Sequence, residues 1–145
     1  GAQVAAIVAK APAPIEAALT RYGKHLGIAF QLIDDALDYR GDAEELGKNV
    51  GDDLAEGKPT LPLIHALKHG DAGAAAMIRE AIAQGGTEEQ APIRAVVERS
   101  GGLDYTAQLA ESEAQLAEVA LADVPASPYR DALAGLARFA VSRSS

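Results

Sequence analysis

A long proline-free run, residues 15–39, is the feature that most constrains the fold. Its large apolar side chains recur three or four residues apart, which is the spacing of one face of an α-helix. These side chains are Ile15, Leu19, Tyr22, Leu26, Phe30, Ile33 and Leu37. Such a helix must bury its apolar stripe against other elements, and no run elsewhere alternates in the way of a β-strand. The pattern therefore predicts an all-α protein.

Shorter helices are predicted on both sides of this run. Residues 1–10 have the character of a helix that Pro12 and Pro14 bring to an end. A polar segment, residues 41–60, is rich in glycine and predicts a loop. Beyond it, glycine pairs and prolines separate further predicted helices at 61–69, 72–84, 88–100, 104–121 and 127–142. We therefore predict one helical domain, or part of one.

Composition limits the class of protein and its partners. The chain has 145 residues, a net charge of −8 and no cysteine. The acidic balance argues against nucleic acid as a partner, and the missing cysteines exclude disulfides. No stretch approaches the ~20 apolar residues of a membrane span, so we expect a cytoplasmic protein. Because the chain begins with Gly1 rather than methionine, we expect it to be part of a longer sequence.

Three carboxylates lie within the long predicted helix. At about 100° of rotation per residue, Asp34, Asp35 and Asp38 fall within roughly 60° of Gln31, opposite the apolar stripe. We expect all three to point at one spot, where neighbouring carboxylates ~5–6 Å apart repel by about 3 kcal/mol. Oxygen ligands without histidine or cysteine suit Mg²⁺, which also seeks phosphate oxygens. The alternative is a solvated acidic helix face.

Two lysines follow in the glycine-rich segment. Lys48 and Lys58 each come directly after a glycine. Ammonium groups on flexible stems suit diphosphate oxygens, and glycines let a loop fold tightly against a ligand. The spacing does not fit a Walker loop. The pattern favours a diphosphate-binding segment, and a flexible charged loop is the alternative.

Two consecutive motifs resemble those of a known family. The segment FQLIDDALD (30–38) resembles the second aspartate-rich motif of the trans-prenyl diphosphate synthases, and GKNVGDDLAEGKPTLPLI (47–64) resembles the stretch that follows it. GGLDY (101–105), SPYR (127–130) and FAVSR (139–143) are similar to the long-chain, octaprenyl-type members. The resemblance covers the whole chain and implies an isoprenoid-synthase-type helical bundle. It also implies condensation of an allylic diphosphate with isopentenyl diphosphate, giving a long chain for ubiquinone biosynthesis.

The resemblance also implies roles for particular residues. Asp34, Asp35 and Asp38 would hold Mg²⁺ that bridges the allylic diphosphate, and Gln31 would lie beside the reacting centre.

Further roles fall on three basic residues. By the same resemblance, Lys48 and Lys58 would contact the allylic diphosphate. Arg143 would help to hold isopentenyl diphosphate.

The family's first aspartate-rich motif, with its tandem arginine, is absent from these 145 residues. We therefore expect residues 1–145 to be the C-terminal half of the synthase domain, inactive alone. Exposed surfaces meant for the missing N-terminal half predict a homo-oligomer or a partner chain. The alternatives are a non-catalytic diphosphate-binding or scaffolding subunit, and a terpene cyclase-like protein. A cyclase normally adds an Asn/Asp-Ser-Glu metal motif, which we do not find.

Two histidines stand apart from these motifs. His65 and His69 are four residues apart on a predicted helix, a spacing that can bind zinc. With no third ligand in view, we interpret them as helix-surface residues.

Overall fold

The computed structural model describes residues 1–40, 59–84 and 90–143, with backbone only at residues 90 and 91. Helices account for most of these residues and no strand occurs among them, which confirms the predicted all-α class. In chain order the elements are α1 (Ala2–Val8), α2 (Ala13–Arg40), α3 (Leu61–His69), α4 (Ala72–Ala83), α5 (Gln90–Arg99), α6 (Gly102–Ala120), a 3₁₀ turn (Leu121–Asp123) and α7 (Pro128–Ser142).

Helix α2 begins slightly earlier than its apolar pattern predicts. Its first residue is Ala13, and Pro14 lies in its first turn. Proline is tolerated there because the backbone N–H of that position has no partner within the helix in any case. The proline therefore marks the start of α2 rather than a break before it.

The chain divides into two compact units, of which the first comprises Gly1–Ile33 and Gln108–Ser145. Its core contains alanine, leucine and tyrosine side chains from α1, α2, α6, the 3₁₀ turn and α7. The buried members are Tyr22, Ala117, Ala120, Leu121 and Ala137. Polar contacts at the edge of this unit join α2 to α6 and the 3₁₀ turn: His25 Nδ1 lies 2.5 Å from Glu113 Oε2, and Arg21 donates to Asp123 over 3.0 Å.

The second unit, Asp34–Ala107, has its own apolar core. Side chains from the end of α2, from α3, α4 and α5, and from the start of α6 meet in it. They are Tyr39, Leu63, Ala66, Ile78, Ala81, Ile93, Val96, Val97 and Leu103. Gly101, at φ +75°, makes the tight turn between α5 and α6 in a conformation that favours glycine.

The buried face of α2 overlaps the predicted stripe at Tyr22 and Ile33 but is shifted towards a row of alanines. Ala18, Ala29 and Ala36 are fully buried, whereas Leu19 and Leu37 on the predicted stripe are only half-buried. Alanine has the smallest side chain beyond glycine, so an alanine row lets neighbouring elements pack close to the backbone of α2. The spacing of the large side chains alone therefore misplaces part of the contact face of α2.

Tyr22 is expected to make stability sensitive to alkaline pH. Its hydroxyl donates to the Leu133 carbonyl over 2.8 Å, and burial raises its pKa. The folded state thus favours the neutral phenol. As pH rises above about 10, the unfolded chain ionises first, and stability falls towards the folded-state pKa. Tyr22→Phe should cost about 1 kcal/mol at pH 7 and flatten this alkaline decline.

Urea unfolding between pH 7 and 11 measures both effects of Tyr22→Phe. Tyr129→Phe is the matched control, because Tyr129 is 82% exposed. An equal loss from both substitutions would contradict the role of the buried hydroxyl.

Candidate aspartate site on helix α2

The last turns of α2 are fixed by buried residues that alternate with the aspartates. Ile33 and Ala36 are fully buried and Tyr39 is 1% exposed. Asp34 is exposed and Asp38 is half-buried. The apolar side chains hold the backbone of this stretch in place, so the carboxylates have little freedom beyond their own side-chain torsions.

The three carboxylates differ in burial, although their positions around the helix axis predicted that all three point at one spot. Asp35 is 8% exposed and therefore belongs to the buried side of α2. At about 100° of rotation per residue, Asp35 lies next to Tyr39 around the helix axis, and Tyr39 belongs to the core. Within the described ranges, no three His, Asp or Glu side chains come together as a metal-binding group. Among the described residues the three aspartates thus form no such group, and Asp35 lies on the more buried side of α2.

The donor chemistry of this stretch still fits Mg²⁺. The carboxylates at positions 34 and 38 are one helical turn apart on the same face, at a typical separation of about 5–6 Å. Magnesium usually takes one or two protein carboxylates and completes its octahedron with water and phosphate oxygens. A preformed cage of three ligands is therefore not required.

Arg40 joins the end of α2 to two other helices of the second unit. Its guanidinium donates to Asp104 of α6 over 3.1 Å, and its backbone carbonyl accepts from Arg94 of α5 over 3.5 Å. Asp104 is largely exposed, so this ion pair contributes little free energy. Its effect is to orient the Arg40 side chain towards α6.

Arg143 has an aromatic contact that the sequence analysis missed. The guanidinium carbon lies 5.0 Å from the centre of the Phe30 ring, within the range of a cation–π interaction, and both residues belong to the first unit. Sequence spacing assigned Phe30 to the core stripe, and no local pattern indicates a partner so distant in the chain. Gln31, the next residue, is exposed.

The two lysines of the predicted diphosphate segment lie outside the described residues. Lys48 and Lys58 fall within 41–58, as does the predicted loop. Their contacts with diphosphate stay a prediction.

Comparison with known proteins decides the family. The sequence profile described as Polyprenyl synthetase matches residues 1–99. The chain belongs to the polyprenyl synthetase family. An octaprenyl diphosphate synthase of Haemophilus influenzae is 52% identical over 143 residues, a match that covers 98% of this chain and 44% of the relative. The chain therefore spans less than half the length of this polyprenyl synthetase.

Solved structures of polyprenyl synthetases share this helical fold. A polyprenyl synthase from Caulobacter crescentus, complexed with calcium and isoprenyl diphosphate, has a TM-score of 0.89 and 45% identity, covering 99% of this chain and 44% of that one. A geranylgeranyl pyrophosphate synthase from Corynebacterium glutamicum, complexed with isoprenyl diphosphate and magnesium, has a TM-score of 0.83 and 32% identity over 94% and 40%. The fold of an isoprenoid synthase is thereby confirmed.

Among the described residues, no helix combines the length and the apolar character needed to cross a bilayer.

Proposed function

We propose that residues 1–145 form the C-terminal, diphosphate-binding portion of a long-chain trans-prenyl diphosphate synthase. The parent enzyme condenses an allylic diphosphate with isopentenyl diphosphate and makes an octaprenyl-type product for a quinone side chain. Family membership and the 52% identity to an octaprenyl diphosphate synthase support this proposal. The observation that carries it is the aspartate motif on α2, held in place by Ile33, Ala36 and Tyr39.

The carboxylates of α2 supply the metal ligands in this proposal. Exposed Asp34 and half-buried Asp38 supply the ligand oxygens, and the more buried Asp35 lies beside them on α2. Mg²⁺, when bound, supplies positive charge that stabilises the departing diphosphate. The solved Caulobacter and Corynebacterium relatives, complexed with calcium or magnesium, support a divalent ion here.

The remaining side chains bind and orient the two substrates. Lys48 and Lys58 contact oxygens of the allylic diphosphate, which leaves with the electron pair of the broken C–O bond. Gln31 lies beside the allylic carbon from which the diphosphate departs. Arg143, held against the Phe30 ring, contacts isopentenyl diphosphate. The isopentenyl double bond then forms the new C–C bond, and loss of a proton restores a double bond.

The proposed site is incomplete within these 145 residues. The first aspartate-rich motif is absent from them, so one face of the metal site must come from a missing N-terminal half or a partner chain. We therefore propose that the chain alone does not turn over substrate. We also propose that it works in the cytoplasm as part of a homo-oligomer.

A hybrid enzyme tests the proposal. These 145 residues would replace the matching 143 residues of the Haemophilus influenzae octaprenyl diphosphate synthase. The hybrid is expected to make a long-chain polyprenyl diphosphate from an allylic diphosphate and isopentenyl diphosphate when Mg²⁺ is present. The 145-residue chain is expected to make none.

Other outcomes of this experiment would count against specific parts of the proposal. A folded hybrid that binds diphosphate without turnover would favour the non-catalytic subunit. Turnover by the 145-residue chain alone would contradict the incomplete site. A cyclised product would favour the terpene cyclase-like alternative.

A further inference from the structure

Three aromatic side chains form a cluster in the second unit, apart from the residues assigned above. The ring centres of His65 and His69 lie 4.5 Å apart, at an interplanar angle of 37°. The ring of Tyr105, on α6, lies 4.8 Å from that of His65. Both histidines lie in the C-terminal part of α3, one turn apart. The two imidazoles are thus side by side on one helix face, and the tyrosine ring packs against the first of them.

His65 is partly buried, and one of its ring nitrogens makes no hydrogen bond to the described part of the protein. Its Nδ1 atom is buried and has no hydrogen-bond partner among the described residues. His65 as a whole is only half-buried, and His69 is exposed. The His69 side chain is therefore accessible to solvent and His65 is partly so, whereas the Nδ1 atom of the His65 ring faces the protein interior.

The separation of the rings matches a chelate with a particular angle. A metal ion ~2.0–2.1 Å from one nitrogen of each ring lies about 3.2 Å from each ring centre, so centres about 4.5 Å apart subtend about 90° at the ion. A tetrahedral ion would need about 5.2 Å between the centres. Rotation about χ2, a broad torsion in histidine, turns the exposed His69 ring about an axis near its centre and leaves the separation nearly unchanged.

We infer that His65 and His69 form a two-imidazole site for a divalent transition-metal ion that favours 90° ligand angles, such as Ni²⁺ or Cu²⁺. Imidazole nitrogen is a preferred ligand of these ions, and square-planar or octahedral coordination gives the required angle. Water molecules complete the coordination sphere. Tyr105 is a positioning residue, because its ring restricts the His65 side chain. The ligand class differs from the carboxylate oxygens of α2, which suit Mg²⁺.

Nickel titration of the 145-residue chain tests the inference. The chain has three histidines, and the third, His25, contacts Glu113 instead. Ni²⁺ in octahedral coordination with water is paramagnetic, so at substoichiometric amounts it should broaden the imidazole NMR signals of His65 and His69 before that of His25. Zn²⁺ is expected to bind more weakly in a parallel calorimetric titration.

Substitutions separate chelation from general surface binding. His69→Asn, at an exposed position, should lower Ni²⁺ affinity about 10²-fold, because a single imidazole lacks the added affinity of two ligands held on the same helix. His25→Asn and Tyr105→Phe should leave the affinity within about twofold, since neither removes a ligand or the stacked ring. Equal broadening of all three histidines, or an unchanged affinity in His69→Asn, would overturn the inference.

Discussion

Asp34→Asn in the hybrid enzyme is expected to lower kcat by about 10²–10³-fold, the range found when one preorganised group that stabilises developing charge is removed. Asparagine keeps the shape of the side chain and removes its negative charge, so the substitution weakens the ligand for Mg²⁺ and leaves the helix intact. Asp34 is exposed, and the buried residues beside it on α2 are untouched. Steady-state kinetics at several Mg²⁺ concentrations would show a higher metal requirement as well as a lower kcat.

Glu111→Gln is the matched control for Asp34→Asn. Glu111 is an exposed carboxylate on α6, and the same charge is removed there at a site with no proposed role. Its kcat is expected to stay within about twofold, the size of an effect on a solvated charge. A similar loss in both variants would show that net charge, rather than a metal ligand at position 34, controls the activity.

The 145-residue chain provides a second measurement of the same carboxylate. Without metal, Asp34→Ala should leave its unfolding midpoint unchanged or raise it, because repulsion among the three aspartates is relieved. A lower midpoint would show that Asp34 has a structural role as well.

Gly102→Ala is expected to lower the free energy of unfolding by about 1–3 kcal/mol, the usual cost of forcing extra volume into a packed site. A Cβ atom on this buried glycine would lie 2.6 Å from the Pro62 carbonyl oxygen and 3.3 Å from its carbonyl carbon. Both are backbone atoms in the first turn of α3, so no flexible side chain can move aside. The start of α6 would have to shift away from α3, which would disturb the core of the second unit.

Gly135→Ala is the matched control for this steric argument. Gly135 lies inside α7, and a Cβ there would have no neighbour within 4 Å. The same substitution should therefore stabilise the chain by about 0.5–1 kcal/mol, because alanine is the better helix former. Urea unfolding with equal m-values would measure both effects. Two changes of the same sign would contradict the close approach at Gly102.

The helical class and most helix positions followed from local signals. Proline-free apolar spacing predicted α2, and glycines and prolines marked its neighbours, because capping and backbone restrictions act over a few residues. Glycine at 101 was correctly assigned to a break between helices, and the structure adds its left-handed φ. The position of the three aspartates on the long helix also followed from the sequence, whereas their role as metal ligands stays a prediction.

The buried face of α2 and the accessibility of each aspartate depended on the tertiary structure. Periodicity identifies which residues share a face, but the depth of each side chain depends on how closely the neighbouring helices approach. The alanine row of α2 lets neighbouring elements pack close to its backbone, and Asp35 lies on the more buried side. The contact between Phe30 and Arg143 likewise joins residues that are far apart in sequence.

The sequence by itself determined that this chain is all-α, that its aspartates lie on one long helix, and that its motifs resemble those of the trans-prenyl diphosphate synthases. Only the tertiary structure decided which carboxylates are exposed, how the rings of His65, His69 and Tyr105 meet, and where α6 touches α3. The physical reason is range: helix formation depends on neighbours within a few residues, whereas burial and side-chain contacts depend on packing between segments that are distant in the chain.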